Sequence, residues 1–385
     1  MTRYTYKFRL LPDAYQMVAI AKHFGVCRYV YNHFLEKRNQ VYRSTGVGST
    51  YNRDCEALVL LKKEFPWIGE VNSQSLQQEL RGLNAAFSNF FKGNAKFPRF
   101  HSKHNDKQSF RVPQRVRVEN GRIYINKFKG GIRLKQHRPI EGEIKHATIV
   151  QNRSGQYFAC ICVEREMSKL PPSPNVVGVD LGVKNLATCS NGIVFPNIKP
   201  YANLQQRLRR LQKSLSRKVK GSHNYTRAKK LVARCHQRIA DIRSNHLHHV
   251  SKALIDENQV VVLEDLNVQG MLKNRRLAKS ISDVSLGELI RQIEYKAGWY
   301  GREVVKVDRW YPSSKTCNAC GYVNADLTLT EREWACPLCG TDLDRDRNAS
   351  LNILGEGLRI RARTAGTAGI ACGEDVRPPQ GGCSL

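Results

Sequence analysis

The stretch NVVGVDLG, residues 175–182, sets the reading of the whole chain. Val176, Val177 and Val179 form a short strand of the buried type, and Asp180 stands at its end. A carboxylate ending an apolar strand is expensive to desolvate unless something meets it. Just upstream, LPPSPN (170–175) marks a domain boundary. Downstream, NLATCS (185–190) and IVFP (193–196) complete a meander of three strands. Residues 201–258 then read as two helices joined by Gly221-Ser222-His223-Asn224. QVVVLE (259–264) is a second buried-type strand, and it too ends on an acid, Glu264. Leu286, Leu289, Ile290, Ile293 and Ala297 stripe the next helix. EVVKVD (303–308) is a strand again, and a last helix begins near Asp346.

The order β-β-β-α-β-α-β is that of an RNase H-like sheet. There the first strand runs parallel to the fourth and beside it, so Asp180 and Glu264 are expected to lie close together. A hard divalent cation such as Mg²⁺ would relieve their desolvation cost. Two such ions can activate water and stabilise the leaving oxygen of a phosphodiester, but this needs a third carboxylate. Asp342, Asp344 and Asp346 are the candidates. Asp346 opens the last helix and can turn toward the sheet; Asp344 and Asp342 stand one and two strand periods before it. All three could instead be capping that helix, where acids are favourable without any metal.

Cys317, Cys320, Cys336 and Cys339 form two Cys-x₂-Cys pairs fifteen residues apart, each followed by a glycine. This is the four-cysteine zinc pattern. Four thiolates leave no open coordination position, so one structural Zn²⁺ is expected. The other eight of the twelve cysteines are scattered, as core residues or free thiols would be.

The N-terminal half reads differently. RYTYKFRL (3–10) alternates as a half-buried strand. Asp13 and Gln16 form a capping box for a helix, which Gly25 should interrupt before a second helix runs to about Tyr42. A third helix starts at Ser73. The loop 92–107 carries Phe97-Pro98-Arg99-Phe100, readable as a nucleic-acid contact or as a packed turn. Residues 108–166 are all β, with Asn120-Gly121 and Ser154-Gly155 as hairpin turns. They suggest a basic β-barrel that the first strand could join. The tail from Gly355 onward holds 7 glycines in 31 residues, which suggests mobility beyond about residue 363.

The chain has 385 residues, 63 Lys+Arg and 33 Asp+Glu, a formal charge of +30. Such an excess predicts a polyanionic partner. The basic residues are spread over most of the chain, which favours nucleic acid over a membrane surface. Residues 201–240 hold 12 Lys+Arg and no acid. Arg209, Arg210, Lys218 and Lys220 there, with Arg99, are candidates for backbone contact. No run of 18 apolar residues and no leader pattern occurs. A soluble cytoplasmic protein is expected, with no membrane partner.

VGVDLGVKNLAT (177–188), VVLEDLNV (261–268), YPSSKTCNACG (311–321), CPLCG (336–340) and DRDRNASLNI (344–353) together closely resemble the TnpB (OrfB) family of insertion sequences. These proteins are relatives of type V CRISPR effector nucleases. YKFRLLPDAYQ (6–16), NFFKGNAKFPRF (89–100) and GTAGIACGEDVRP (366–378) extend the resemblance over nearly the whole chain. One departure is Asn348-Ala349-Ser350, where the family usually reads Asn-Ala-Ala.

The resemblance implies a transposon-encoded, RNA-guided double-stranded DNA endonuclease. Its partners would be a guide RNA from the transposon end and a duplex target bearing a short adjacent motif. Asp180, Glu264 and Asp346 match the catalytic acids, which hold two Mg²⁺ with Mn²⁺ as a substitute. The implied fold is multidomain α/β. A wedge-type β-barrel takes residues 1–11 and 93–169, and a helical recognition lobe takes 12–92. A RuvC-like nuclease follows at 175–309 and 341–363, with a zinc-ribbon insertion at 310–340 and a flexible tail at 364–385. Tyr51, Ser73, Gln74 and Gln77 resemble positions facing the motif DNA, and Gln suits adenine. A monomer in a prokaryotic cytoplasm, nucleoid-associated when bound, completes the expectation. A guided DNA-binding regulator without cleavage and a strand-transfer transposase are the alternatives.

Overall fold

The computed structural model describes residues 1–103, 108–328 and 330–370. The chain forms two compact units, Met1–Met167 with Ser214–Arg234, and Ser168–Lys213 with the chain from Cys235 onward. The basic stretch 201–240 is thus divided between them, whereas the linker at 170–175 predicts it wholly in the second.

The first unit opens with β1 (Thr2–Leu11), whose Tyr6, Phe8 and Leu10 point inward as the alternation requires. Next comes α1 (Ala14–Thr45), one unbroken helix of 32 residues. Asp13 accepts from the Gln16 amide at 2.8 Å and Gln16 returns the bond, so the capping box is real. Gly25 does not interrupt it. A mid-helix glycine costs only about 1 kcal/mol, and the buried Phe24, Val26 and Cys27 on either side outweigh that. A further helix, α2 (Tyr51–Glu64), lies between the expected ones. Its Asp54 is buried, held at 2.6 Å by Arg38 of α1 and at 2.7 Å by the Ser49 hydroxyl. α3 (Ser73–Phe91) follows, with Leu76, Leu80 and Leu83 buried.

The remaining strands of this unit are β2 (Gln108–Val112), β3 (Arg117–Glu119), β4 (Arg122–Tyr124), β5 (Ile132–Lys135), β6 (Glu143–Gln151) and β7 (Tyr157–Arg165). They form a seven-stranded sheet in the order β2-β6-β7-β1-β5-β4-β3, with β1 antiparallel to both its neighbours. Among the described residues the edge strands β2 and β3 are not paired with each other, so the ladder there stays open. Helices and sheet share one hydrophobic core, in which Phe8, Phe34, Leu80 and Phe110 are among the most buried side chains. The α1–α3 segment is therefore not a body with a separate interior.

The second unit begins with β8 (Val176–Leu181), β9 (Asn185–Cys189) and β10 (Val194–Pro196). The helices α4 (Pro200–Ser216) and α5 (His223–Glu257), of which residues 214–234 belong to the first unit, lead to β11 (Val260–Glu264). Then follow α6 (Val268–Met271), α7 (Ala278–Val284), α8 (Leu286–Tyr300) and β12 (Glu303–Val307). The five-stranded sheet has the order β10-β9-β8-β11-β12, with β11 parallel to both β8 and β12. A two-stranded ribbon, β13 (Glu333–Ala335) and β14 (Asp342–Asp344), precedes α9 (Arg345–Ile370). α9 continues seven residues past the point where a tail was expected; residues 371–385 lie outside the described residues. A Cβ at Gly178 of β8 would collide with the Ser350 carbonyl, and one at Gly357 would collide with the Val262 side chain. Two glycines therefore let α9 lie directly on β8 and β11, which brings the start of α9 to the acids ending those strands.

Candidate metal centre and nucleic-acid surfaces

Asp180 sits on β8 in register with Thr188 of β9. On the other side, Leu263 of β11 pairs with Val179, so Glu264 ends the parallel neighbour at the same level. Asp346 lies in the first turn of α9. The charges of both Glu264 and Asp346 reach Asp180. The Asp180 carboxyl is pushed up to about 7, first by burial and then by the charges of Glu264 and Asp346; Arg345 and Arg332 oppose the shift. Burial also raises Glu264, against a hydrogen bond donated by the Ser313 hydroxyl. Asp346 accepts from Arg332 at 2.7 Å, and Arg345 lies 3.7 Å away. Ser313 and Arg332 were not visible as site residues in the sequence, because each reaches its acid through tertiary structure; Arg345 adjoins Asp346 in the chain, but the sequence alone does not show it turning toward that carboxylate.

The other two aspartates have different surroundings. Asp342 and Asp344 stand on the exposed side of β14, while Leu343 between them points into the small core. Asp344 caps α9, accepting from the Arg347 amide at 2.8 Å. A cap satisfies one of the orphan amides of a helix start.

Among the described residues, the four cysteines are the group of metal-ligating side chains whose ligand atoms all lie within 4.8 Å of one another. Asp180, Glu264 and Asp346 do not form such a close group among the described residues. Cys317 and Cys339 sulfurs are 3.7 Å apart, and those of Cys320 and Cys336 are 3.6 Å apart. A zinc–sulfur bond of roughly 2.3 Å in a tetrahedron requires about 3.8 Å between sulfurs. The set fits a zinc ion. Its two halves are built alike: the Gly321 amide donates to the Cys317 carbonyl at 2.9 Å, and Gly340 to Cys336 at 2.8 Å. Both glycines have positive φ, 80° and 72°, which a side chain would strain. Among the described residues, the surrounding core is only Cys317, Leu327, Trp334, Cys336 and Leu343. So little apolar burial does not hold a fold alone, and metal binding would supply the rest. Asn348 and Asn352 of α9 fasten the first knuckle, donating to the Thr316 carbonyl at 2.7 and 2.6 Å. The knuckle and Asp346 thus share the first turns of one helix as their support.

The candidate nucleic-acid residues are dispersed. Tyr51 starts α2 and its hydroxyl accepts from Arg81 at 3.1 Å. Ser73, Gln74 and Gln77 lie in the first turns of α3; Gln74 donates to Gln114 at 3.1 Å. Arg99, Arg209, Arg210, Lys218 and Lys220 are all exposed. In the loop before β2, Phe97 packs edge-on against Phe87 and Phe90, and His101 stacks on Tyr31 at 3.8 Å. Phe97 makes these ring contacts while keeping 45% of its surface exposed, and Arg99 and Phe100 are exposed as well. No helix among the described residues is long and apolar enough to cross a membrane.

Comparison with known proteins adds the following. Three family models match: one described as "Probable transposase" over residues 160–275, one as "Cas12f1-like, TNB domain" over 287–353, and one as "Helix-turn-helix domain" over 1–46. The last span holds, in this chain, one strand and one continuous helix. A Streptomyces pristinaespiralis protein named "Putative RNA-guided DNA endonuclease" is 39% identical over 378 residues, covering 97% of this chain and 92% of its own. An Escherichia coli K12 protein, "Putative RNA-guided DNA endonuclease InsQ", is 35% identical over 392 residues, with 97% and 94% covered. Among solved structures, a Cas12f1–sgRNA–target DNA complex aligns over 92% of this chain and 99% of that one, at 15% identity and a TM-score of 0.37.

Proposed function

This chain belongs to the TnpB (OrfB) family, and on that premise we propose that it is an RNA-guided DNA endonuclease whose cutting centre is Asp180, Glu264 and Asp346. The observation that carries the reading is the convergence of three carboxylates at the ends of β8 and β11 and the start of α9, where the charges of Glu264 and Asp346 both bear on the buried Asp180. Structural proteins avoid such crowding, because each buried like charge raises the cost of the next. A divalent cation relieves it. When bound, a pair of Mg²⁺ ions supplies water activation and neutralises charge on the leaving oxygen. The chain's own residues do the rest. Asp180 and Glu264 offer oxygens from rigid parallel strands, and Asp346 offers one from a helix packed on those strands. The Ser313 hydroxyl orients Glu264. Arg332 and Arg345 hold Asp346 in place and add positive charge where a phosphate would lie.

The second unit is, in this reading, a RuvC-like nuclease with a zinc-ribbon insertion. The zinc site does no chemistry; it anchors the turn that leads into Asp346. The first unit takes the wedge and recognition roles. Tyr51, Ser73, Gln74 and Gln77 would face the motif duplex, and Arg99, Arg209, Arg210, Lys218 and Lys220 the phosphate backbone. Base pairing with a guide RNA would read the target sequence while the basic surface holds the heteroduplex by shape. The protein works as a single chain in the cytoplasm.

The test is to purify the protein from cells carrying its own locus, sequence the RNA that co-purifies, and challenge the complex with a guide-matched plasmid library bearing randomised flanks. The reading predicts a discrete RNA and cutting that EDTA abolishes. RNA-dependent binding without cutting would favour a guided regulator, and no specific RNA would return the question to an unguided enzyme.

A further inference from the structure

Trp310 keeps 83% of its surface in water. No ring or cation among the described residues is paired with its indole. An indole left in water is unfavourable unless a ligand covers it. Its backbone, by contrast, is tightly held. It lies three residues past Val307, the end of β12, which is in register with Glu264. The Trp310 amide donates to the Asp308 carboxylate at 2.8 Å, Tyr311 to the Asp308 carbonyl at 3.1 Å, and Ser313 to the Tyr311 carbonyl at 2.8 Å. Both ends of this turn are tied to acids at the end of β11: Arg309 pairs with Asp265, and Ser313 donates to Glu264. Trp310 is therefore a rigidly mounted, unpartnered aromatic face on the same short turn whose other end orients a site carboxylate.

A lone ring flanked by Asp308 and Arg309 is too small for a protein interface, which needs roughly 1,000 Å². It matches an unstacked nucleobase. A single strand that lays its phosphates toward the acids turns its bases outward, and any base can stack on an indole. We propose that Trp310 is a nucleobase platform: it takes an unpaired base of the DNA strand beside the scissile phosphate and so fixes that strand's register at the cutting centre. It is a positioning residue, not a catalytic one, and its role in cutting rests on the nuclease reading above.

Two measurements separate this inference from that reading. In EDTA, the full chain is mixed with a single-stranded DNA oligonucleotide carrying 2-aminopurine, whose fluorescence falls on stacking. Wild type and Trp310→Tyr should quench it, and Trp310→Ala should not; this arm requires no cutting. Equal quenching by Trp310→Ala, no quenching by wild type, or quenching with the matching RNA alone would overturn the proposal. In the second arm the guide-loaded complex cuts a pre-opened target. Trp310→Ala should slow cutting roughly 5- to 100-fold, with recovery in Trp310→Tyr. The same variant should leave the rate on a target made abasic at the stacked position unchanged. An equal slowing on both targets would overturn the platform, whereas failure of wild type to cut at all would count against the nuclease reading alone. Because Trp310 is exposed, the alanine variant should keep wild-type melting and zinc content.

Discussion

Replacing Asp180 with asparagine should stabilise the metal-free protein while removing its response to Mg²⁺. The reason lies in the crowding at the strand ends. The Asp180 carboxyl is raised from 3.8 to about 7, chiefly by burial and then by Glu264 and Asp346. A rise of that size corresponds to roughly 4 kcal/mol as an upper bound. Solvent access and local relaxation should leave about half of that, roughly 2 kcal/mol. The sign follows from proton counting. Between about pH 4 and 7 the folded protein keeps a proton that the unfolded chain has released, so stability falls as pH rises through this window. Above it the full penalty of the ionised group is present. The amide that replaces the carboxylate carries no charge and escapes the penalty. At pH 8 in EDTA, Asp180→Asn should therefore melt about 4–8 °C above wild type, and at pH 4 the two should coincide. Mg²⁺ should raise the wild-type transition and leave the variant unmoved. The assay is a thermal melt followed by circular dichroism across pH 4–8, with and without Mg²⁺. A variant that melts with or below wild type at pH 8 in EDTA, or gains equally from Mg²⁺, would refute the idea that these acids form one strained cation site.

Three further outcomes follow from the packing. Gly178→Ala should destabilise the second unit by about 1–3 kcal/mol, because its Cβ meets the Ser350 backbone; an unchanged denaturation midpoint would contradict the close approach of α9 to β8. Asp54→Ala should cost about 3–5 kcal/mol by leaving the buried Arg38 unpaired, read as an earlier urea transition, and an unshifted transition would show that water reaches the pair. Cys317→Ser should bring bound zinc, measured by atomic absorption, well below one ion per chain; retention of a full equivalent would rule out the four-cysteine site.

Much of the second unit was legible because its signals are local. Strands of valine ending on acids, two spaced cysteine pairs and a helix starting near Asp346 fix order and connectivity without tertiary information. The capping box at Asp13 was legible for the same reason. The unbroken α1 was not, since a glycine's small cost is offset by burial that the sequence does not display. α2 was missed because what fixes it is a buried ion pair between Asp54 and Arg38, sixteen residues away. The last turns of α9 resemble a tail in their glycine content, although Arg361, Ala362 and Arg363 are good helix formers that carry the helix onward. Among the three aspartates near the last helix, the sequence favoured Asp346 as the residue that opens the helix, and the family resemblance pointed to the same one. The exposed ribbon face and the helix cap take Asp342 and Asp344, leaving Asp346 as the one whose charge reaches Asp180.

The most direct measurement is Mg²⁺-dependent cleavage of a guide-matched plasmid by the co-purified RNA complex, comparing wild type with Asp180→Asn, Glu264→Gln, Asp346→Asn and Asp344→Asn. Cutting should vanish in the first three variants and persist in Asp344→Asn, with target binding kept in all four. Cleavage by Asp346→Asn, or its loss in Asp344→Asn alone, would contradict the assignment of the cutting centre.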